Sequence, residues 1–252
     1  MHPVAEQPTL ISSVRRALHL LDAVAASPRP ATAKALSRAT CQPLPTTYHL
    51  LRTLVHEGYL RRVDGGYVIG AHVATLGTQA RAQLRTERMR TSLQDLHDQL
   101  RAAAYLTLYQ DGEIRLLDVV DSSSAPRVDL WVDLRDSGHA TALGKAVLGA
   151  LDPLERADYL DRHRLPDLTP YTLTDERELV RRLEHQHGPA VDRQEYSLGT
   201  ACVATPLRIG MPEGVVVGAV AVSVPSARLA RTLLQVNALI STARSVELAL
   251  VG

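Results

Sequence analysis

The chain has 252 residues, a net charge of +1, 45% hydrophobic residues and no phenylalanine. That length and composition fit one large or two ordinary globular domains and exclude a disordered tail. The longest charge-free apolar run, Val215 to Val224, is too short for a membrane helix, and residues 1–11 lack the basic start and apolar stretch of a signal peptide. Cys41 and Cys202 lie far apart, which suggests neither a disulfide framework nor a zinc site. A cytoplasmic protein is expected, with no cofactor, no metal and no membrane partner.

The small net charge hides an asymmetry. Residues 1–101 hold 13 Lys plus Arg against 7 Asp plus Glu, whereas residues 102–252 hold 15 against 20. A basic segment joined to an acidic one is the charge pattern of a nucleic-acid-binding module attached to something else.

Val14, Ala17, Leu18, Leu21 and Val24 recur at helical spacing, and Ser27-Pro28-Arg29-Pro30 ends that helix. Thr32 is a candidate N-cap for a short second helix with Ala33, Leu36 and Ala39 inward. A turn with two prolines follows, Cys41-Gln42-Pro43-Leu44-Pro45, then a third helix over residues 45–57 that stops at Gly58. Residues 59–63 and 67–69 read as strands about Asp64-Gly65-Gly66, a strong hairpin signal. Three helices and a two-stranded ribbon make a winged helix-turn-helix. In that unit the third helix buries one face and offers the other to the major groove.

Thr47, Leu50, Leu51 and Leu54 share the apolar face of the third helix. Pro45, Thr46, His49, Arg52 and Thr53 fall opposite, with Tyr48 at the flank. Hydroxyls, an imidazole and a guanidinium can serve base edges and phosphates. A bare polar face is also what any solvated bundle helix shows; the hairpin at fixed spacing and the positive segment favour DNA. Phosphate contacts are expected from Arg52, from Arg61 and Arg62 of the wing, and from Lys34 and Arg38.

Residues 71–101 lack proline and carry Leu76, Ala80, Leu84, Met89, Leu93, Leu96 and Leu100. They read as one long linker helix, or two with a break near Arg85-Thr86, and the leucine stripe suits a dimer seam. Beyond it, residues 105–109 and 113–120 alternate about Asp111-Gly112 as a second hairpin, and residues 127–134 are a third strand candidate. Residues 141–151 are helical. Asp152-Pro153 starts a helix to Leu160, and Thr174 followed by Asp175 and Glu176 starts another that ends at Gly188-Pro189. Residues 202–207 and 215–224 read as buried strands, and Ser226 is expected to cap a final helix carrying Leu229, Leu233, Val236, Ile240 and Leu248. The expected architecture is α+β. It comprises a winged helix-turn-helix (residues 1–71), a linker helix (72–101) and an antiparallel sheet domain covered by helices (102–252).

The arrangement resembles the IclR (isocitrate lyase regulator) family of bacterial transcription factors. The resemblance rests on the run from Pro43 to Leu60, on Asp64 to Gly70 with Leu76-Gly77, on Ala140 to Leu148, on Thr169 to Thr174 and on Gln194 to Ala204. Ordered motifs over most of the chain are more specific than any one of them. The resemblance implies a winged helix-turn-helix joined to a GAF-like effector domain, a homodimer or dimer of dimers, and a double-stranded DNA operator. It also implies a small-molecule effector, often a carboxylate or aromatic acid, that changes DNA affinity. Leu44 and Pro45 stand where the family usually has polar or basic residues, and His49 where it commonly has arginine, which points to an altered operator sequence.

Effector contacts implied by the resemblance fall on Ala142-Leu143-Gly144, Asp192, Cys202, Ala221 and Ser223. Free amides at the start of the 141–151 helix can hold a carboxylate. Asp192 suits an anionic ligand only when protonated, or when the ligand offers a hydroxyl or amine. Ala221 makes the site less polar, which favours a ligand with an apolar or ring portion. Trp131 could stack on that ligand or pack in the core.

Gly144-Lys145 fails as a phosphate loop because position 139 is His and position 146 is Ala. His185 and His187 lack a ligand partner at metal spacing and suit a helix C-terminus. Cys202 reads as a small apolar wall rather than a nucleophile. The competing class is a metabolic enzyme with its site in the second domain and the first domain as an adaptor, but no catalytic motif is visible and no catalytic residue is assigned.

Overall fold

The computed structural model describes residues 10–128, 133–211 and 214–251. The chain divides into two compact units, Met1–Gln83 and Leu84–Gly252.

The first unit contains α1 (Ser12–Ala25), α2 (Ala33–Ala39), α3 (Leu44–His56), β1 (Leu60–Val63) and β2 (Gly66–Ile69). Thr32 caps α2 as expected, its hydroxyl accepting the Ala35 N–H at 3.2 Å. Helix α3 starts one residue earlier than expected, at Leu44, with Pro45 in its first turn, where an amide has no helical partner to lose. Gly58, at φ +75°, turns the chain out of the helix.

Leu20, Val24, Leu36, Leu51 and Leu60 form the core of this unit. Only the C-terminal half of α1 packs into it. Val14 and Leu18, expected to face inward, are 53% and 55% exposed.

The wing pairs β1 with β2 antiparallel, from Leu60↔Ile69 to Val63↔Gly66. Ala31 extends it by one bridge, exchanging hydrogen bonds with Tyr67 at 3.0 and 2.9 Å. Gly66 lies against that bridge. A Cβ there would come within 2.4 Å of the Ala31 carbonyl oxygen, and its φ is +151°.

Helix α4 (Ala71–Leu100) is continuous, without the break considered near Arg85-Thr86. Strong helix formers surround that point, and no proline interrupts it. Its leucines do not form one seam. Met89, Leu93, Leu96 and Leu100 are buried in the second unit's core, whereas Leu76 and Leu84 are exposed.

The second unit is a five-stranded sheet, antiparallel throughout, in the order β4-β3-β7-β6-β5. Its strands are β3 (Ala103–Gln110), β4 (Glu113–Val120), β5 (Ala190–Arg193), β6 (Thr200–Met211) and β7 (Gly214–Pro225). On one face Tyr105, Ala204, Ala219 and Ala221 pack under α6 (Ala142–Ala150), α7 (Pro153–Arg162) and α8 (Glu176–Glu184). On the other, Leu106, Val203, Val220 and Val222 pack against α4 and α10 (Val236–Val251). This is the expected α+β build.

Asp152 accepts the Leu154 and Glu155 amides at 2.8 and 3.0 Å and starts α7, which runs two residues past its expected end. The cap of α8 is Asp175 rather than Thr174, its carboxylate accepting the Glu178 N–H at 2.7 Å, and the helix ends at Glu184, before Gly188.

Two further expectations fail, and one strand was not foreseen. The proposed strand over 127–134 is absent from its described residues. Arg127 and Val128 are irregular, and Asp133 instead caps the short helix α5 (Leu134–Ser137), accepting the Arg135 N–H at 3.0 Å. Residues 129–132, Trp131 among them, lie outside the described residues. The 190–193 strand was not expected, being four residues long and half charged. The final helix is broken, with a 3-10 turn over Ser226–Arg228, then α9 (Leu229–Leu233), then α10, and the Ser226 side chain makes no cap. The inward stripe runs through Leu229, Thr232, Leu239, Ala243 and Val246, a face rotated from the expected one, and Leu248 is 75% exposed.

Gly66→Ala should lower the stability of the first unit by about 1–3 kcal/mol, through the clash with Ala31 and the unfavourable φ. Urea unfolding followed by a probe in that unit measures the loss.

Candidate functional site

In the first unit the exposed face of α3 carries Pro45, Tyr48, His49, Arg52 and Thr53, with Thr46 half-buried at its margin. Thr47 is not part of it; it is buried, and its hydroxyl donates to the Pro43 carbonyl at 3.1 Å. The Thr53 hydroxyl donates to the His49 carbonyl at 3.1 Å, so toward a ligand it is an acceptor only. Lys34 and Arg38 are exposed one turn apart on α2, and Arg61 and Arg62 are exposed on β1.

Among the described residues none of Lys34, Arg38, Arg52, Arg61 and Arg62 makes an ion pair; the one charged contact of this unit is His56–Glu57 at 4.0 Å. In the second unit eight of the eighteen arginines are ion-paired among the described residues. Arg90, Arg115, Arg127, Arg135, Arg156, Arg162, Arg181 and Arg182 all reach carboxylates. Unneutralised cations around an exposed helix face are the charge pattern that phosphate binding uses.

In the second unit the strand register assembles a different site. Asp192 of β5 pairs with Cys202 of β6, Cys202 with Ser223 of β7, and Ala221 with Tyr105 of β3. Partners in antiparallel strands point the same way, so these side chains share the face under α6. They surround a cavity of about 30 Å³ lined by Leu143, Asp192, Cys202 and Ala221. Tyr105, Val128, Leu134, Thr141, Tyr196, Ser197 and Thr200 complete the wall. The space holds about two waters, so an organic ligand must open it.

Four of the expected effector residues thus meet at one cavity. Ser223 stands just behind it, its hydroxyl 2.9 Å from that of Tyr105. Ala142 is buried in the core beside it. The expected cradle of free amides is smaller than anticipated, because the Thr141 hydroxyl accepts the Gly144 N–H at 3.0 Å. Gly144 serves packing, since a Cβ there would lie 2.1 Å from the Gly138 carbonyl oxygen.

Asp192 is 2% exposed and accepts the Glu195 N–H at 2.6 Å. Burial outweighs the nearby Lys145 charge and pushes its carboxyl up to about 6. Lys145 bridges the Glu195 carboxylate and the Val191 carbonyl, both at 2.6 Å, and so pins the loop after β5 to α6. Burial, with Asp192 alongside, raises the Cys202 thiol well above its ordinary range, which suits an inert wall and not a nucleophile. His185 donates from Nδ1 to the Arg181 carbonyl at 2.8 Å at the end of α8, a structural role. Among the described residues no cluster of metal-ligating side chains occurs and no helix is long and apolar enough to cross a membrane.

A winged helix-turn-helix with bare cations, in one chain with a sheet domain that encloses a small buried cavity, defines a one-component DNA-binding regulator. Two family models match the chain: the IclR helix-turn-helix domain over residues 13–64, and the bacterial transcriptional regulator IclR C-terminal domain over residues 80–248. The chain is 30% identical over 221 residues to the glycerol operon regulatory protein of Streptomyces coelicolor, covering 82% of this chain and 83% of that protein. It is 29% identical over 238 residues to the Pca regulon regulatory protein of Pseudomonas putida, covering 90% and 79%.

Among solved structures, an IclR homologue from Microbacterium sp. strain HM58-2 matches with a TM-score of 0.59 at 22% identity, covering 95% of this chain and 98% of that one. The homologue from Microbacterium hydrocarbonoxydans, solved with 4-hydroxybenzoate, matches with a TM-score of 0.56 at 21% identity, covering 94% and 98%; both show the fold. The chain belongs to the IclR family of bacterial transcriptional regulators, which are ligand-responsive DNA-binding proteins and not enzymes. The alternative of a metabolic enzyme is thereby set aside.

Because the folded carboxyl of Asp192 titrates near 6 rather than at its ordinary 3.8, the native state holds that proton more tightly than the unfolded chain. Its contribution is fully present below about pH 4 and is lost as pH rises through about 6, a loss of about 2–3 kcal/mol. Asp192→Asn should abolish that fall, so the stability difference, variant minus wild type, rises across this window. Urea denaturation at a series of pH values measures it.

Proposed function

We propose that the chain binds its operator with α3 in the major groove and the β1–β2 wing against the backbone. Base edges would be read by Pro45, Thr46, Tyr48, His49 and Thr53. Lys34, Arg38, Arg52, Arg61 and Arg62 would hold phosphates. The observation that carries this reading is the lack of any ion pair at those five cations among the described residues, on a chain whose second unit pairs eight arginines with carboxylates. Imidazole at position 49 makes a single contact where a guanidinium would make two, which favours a different base step.

The effector is proposed to enter the cavity bounded by Leu143, Asp192, Cys202 and Ala221. Ala142, Gly144 and Ser223 would stand around it; Trp131 lies outside the described residues. A protonated Asp192 donates a hydrogen bond to a carboxylate, and the apolar wall accepts a ring. An aromatic acid meets both conditions, as 4-hydroxybenzoate does for the Microbacterium hydrocarbonoxydans homologue. Effector binding can change DNA affinity only through a difference in its affinity for DNA-competent and incompetent arrangements.

A homodimer or dimer of dimers is proposed on the palindromic operators that such readers use. Leu10, Ile11, Val14 and Leu18 support it as an exposed apolar strip on and before α1, as do the exposed Leu76 and Leu84 of α4.

Arg52→Ala should weaken binding to DNA from the region beside the gene and reduce the salt slope by about one, with effector binding unchanged. Fluorescence anisotropy at several salt concentrations checks it, and an unchanged slope would contradict the assignment of α3. Asp192→Ala and Ser223→Ala should shift the effector concentration that alters DNA binding while leaving DNA affinity without effector near wild type. The same assay, titrated with aromatic acids, measures this.

A further inference from the structure

Beside the small cavity the second unit has a larger cleft, about 250 Å³, lined by Arg101, Arg127 and Arg228 together with the hydroxyl-bearing Ser124, Thr200 and Ser223. Val128 and Thr200 border both spaces. A hydrogen-bonded partition stands between them. The Tyr105 hydroxyl accepts the Val128 N–H at 2.9 Å and pairs with Ser223 Oγ at 2.9 Å.

The three guanidiniums are in different states. Arg127 is neutralised by a two-pronged contact with Asp121, at 2.6 and 2.9 Å. Arg101 makes no ion pair or side-chain hydrogen bond among the described residues, and its backbone is in the left-handed region at φ +50°. Arg228 donates to the Leu100 carbonyl at 2.8 Å and to the Arg101 carbonyl at 3.0 Å, clamping the C-terminal end of α4. That uses two of a guanidinium's five N–H groups, so donors remain for a ligand. The cleft therefore presents two cations without acidic partners. Pro126, Val128, Val224 and Pro225 add apolar wall that an organic body can cover and an inorganic ion cannot.

We propose that this cleft binds a small organic carboxylate, distinct from the ligand of the inner cavity, with Arg101 and Arg228 as its charge partners. Arg228 is then shared between the ligand and the carbonyl end of α4, so occupancy is felt at the linker helix. Only the step from α4 to DNA rests on the regulator reading above; binding and the effect on α4 do not.

Titration calorimetry of the full chain with benzoate, at fixed ionic strength, tests the site, and inorganic phosphate forms the second arm. Benzoate should bind saturably and phosphate more weakly. Arg101→Gln should weaken benzoate by about ten- to a hundredfold, the loss of one charged hydrogen-bonding partner. Arg208→Gln, at an exposed arginine outside the cleft, should leave it within about twofold. Undiminished benzoate binding by Arg101→Gln, or phosphate binding as tight as benzoate, would overturn the proposal.

Hydrogen exchange reports the coupling. Amides of residues 100–102 should slow on saturation in wild type but not in Arg228→Lys, which keeps the charge yet cannot bridge both carbonyls. Unchanged exchange in saturated wild type would overturn the coupling. DNA binding without ligand, measured in parallel, shows separately whether the regulator reading fails.

Discussion

Strand β7 runs down the middle of the sheet with helices against both faces, so its backbone groups have no water to turn to and must pair with β3 and β6. Most of the second unit follows from that requirement. Ala219 and Ala221 meet α6 on one side while Val220 and Val222 meet α4 and α10 on the other. The small residues on the first side leave the space that becomes the cavity. The fixed register sets Asp192, Cys202 and Ser223 on successive strands of the same face. Without phenylalanine, tyrosine does the bulky filling; Tyr159 is the largest fully buried side chain among the described residues. Tyr105 both packs on this face and closes the partition toward the outer cleft.

The two units use arginine differently. In the second, eight of eighteen guanidiniums reach carboxylates among the described residues, as Arg162 does between Glu113 and Asp158, and Arg228 holds the end of α4. Most of these pairs are exposed and add little stability, but they neutralise a surface that would otherwise attract phosphate. In the first unit, cations near α3 and the wing are left bare. A net charge near zero conceals this, because a basic excess in the first part of the chain and an acidic excess in the rest cancel.

Local signals made the helices and the reader legible in the sequence. Thr32, Asp152 and Gly58 each act within four residues of where they stand, and their elements begin or end as anticipated. The face of α3 followed from periodicity alone. What escaped was non-local. Strand β5 has too few residues to show alternation and is defined by its pairing with β6. Tyr105, Tyr196 and Thr200 join the cavity wall only through register and loop packing, so no pattern around them pointed there. The turn at 234–235 has no proline or glycine to announce it. The 127–134 segment was β-rich in composition, yet the carboxylate of Asp133 caps a helix there. The effector residues supplied by family resemblance largely converge, although Gly144 does so as a packing position.

The proposed division of labour has the bare cations of the first unit meet DNA while the paired arginines of the second take no part. Hydrogen exchange of the full chain with and without DNA from the region beside its gene tests this most directly. Protection confined to α3, its preceding turn and the wing, with the sheet domain's arginine-bearing segments unchanged, is the result predicted. Protection centred on α7, α8 or the β3–β4 edge, with α3 exchanging as in the free protein, would contradict it.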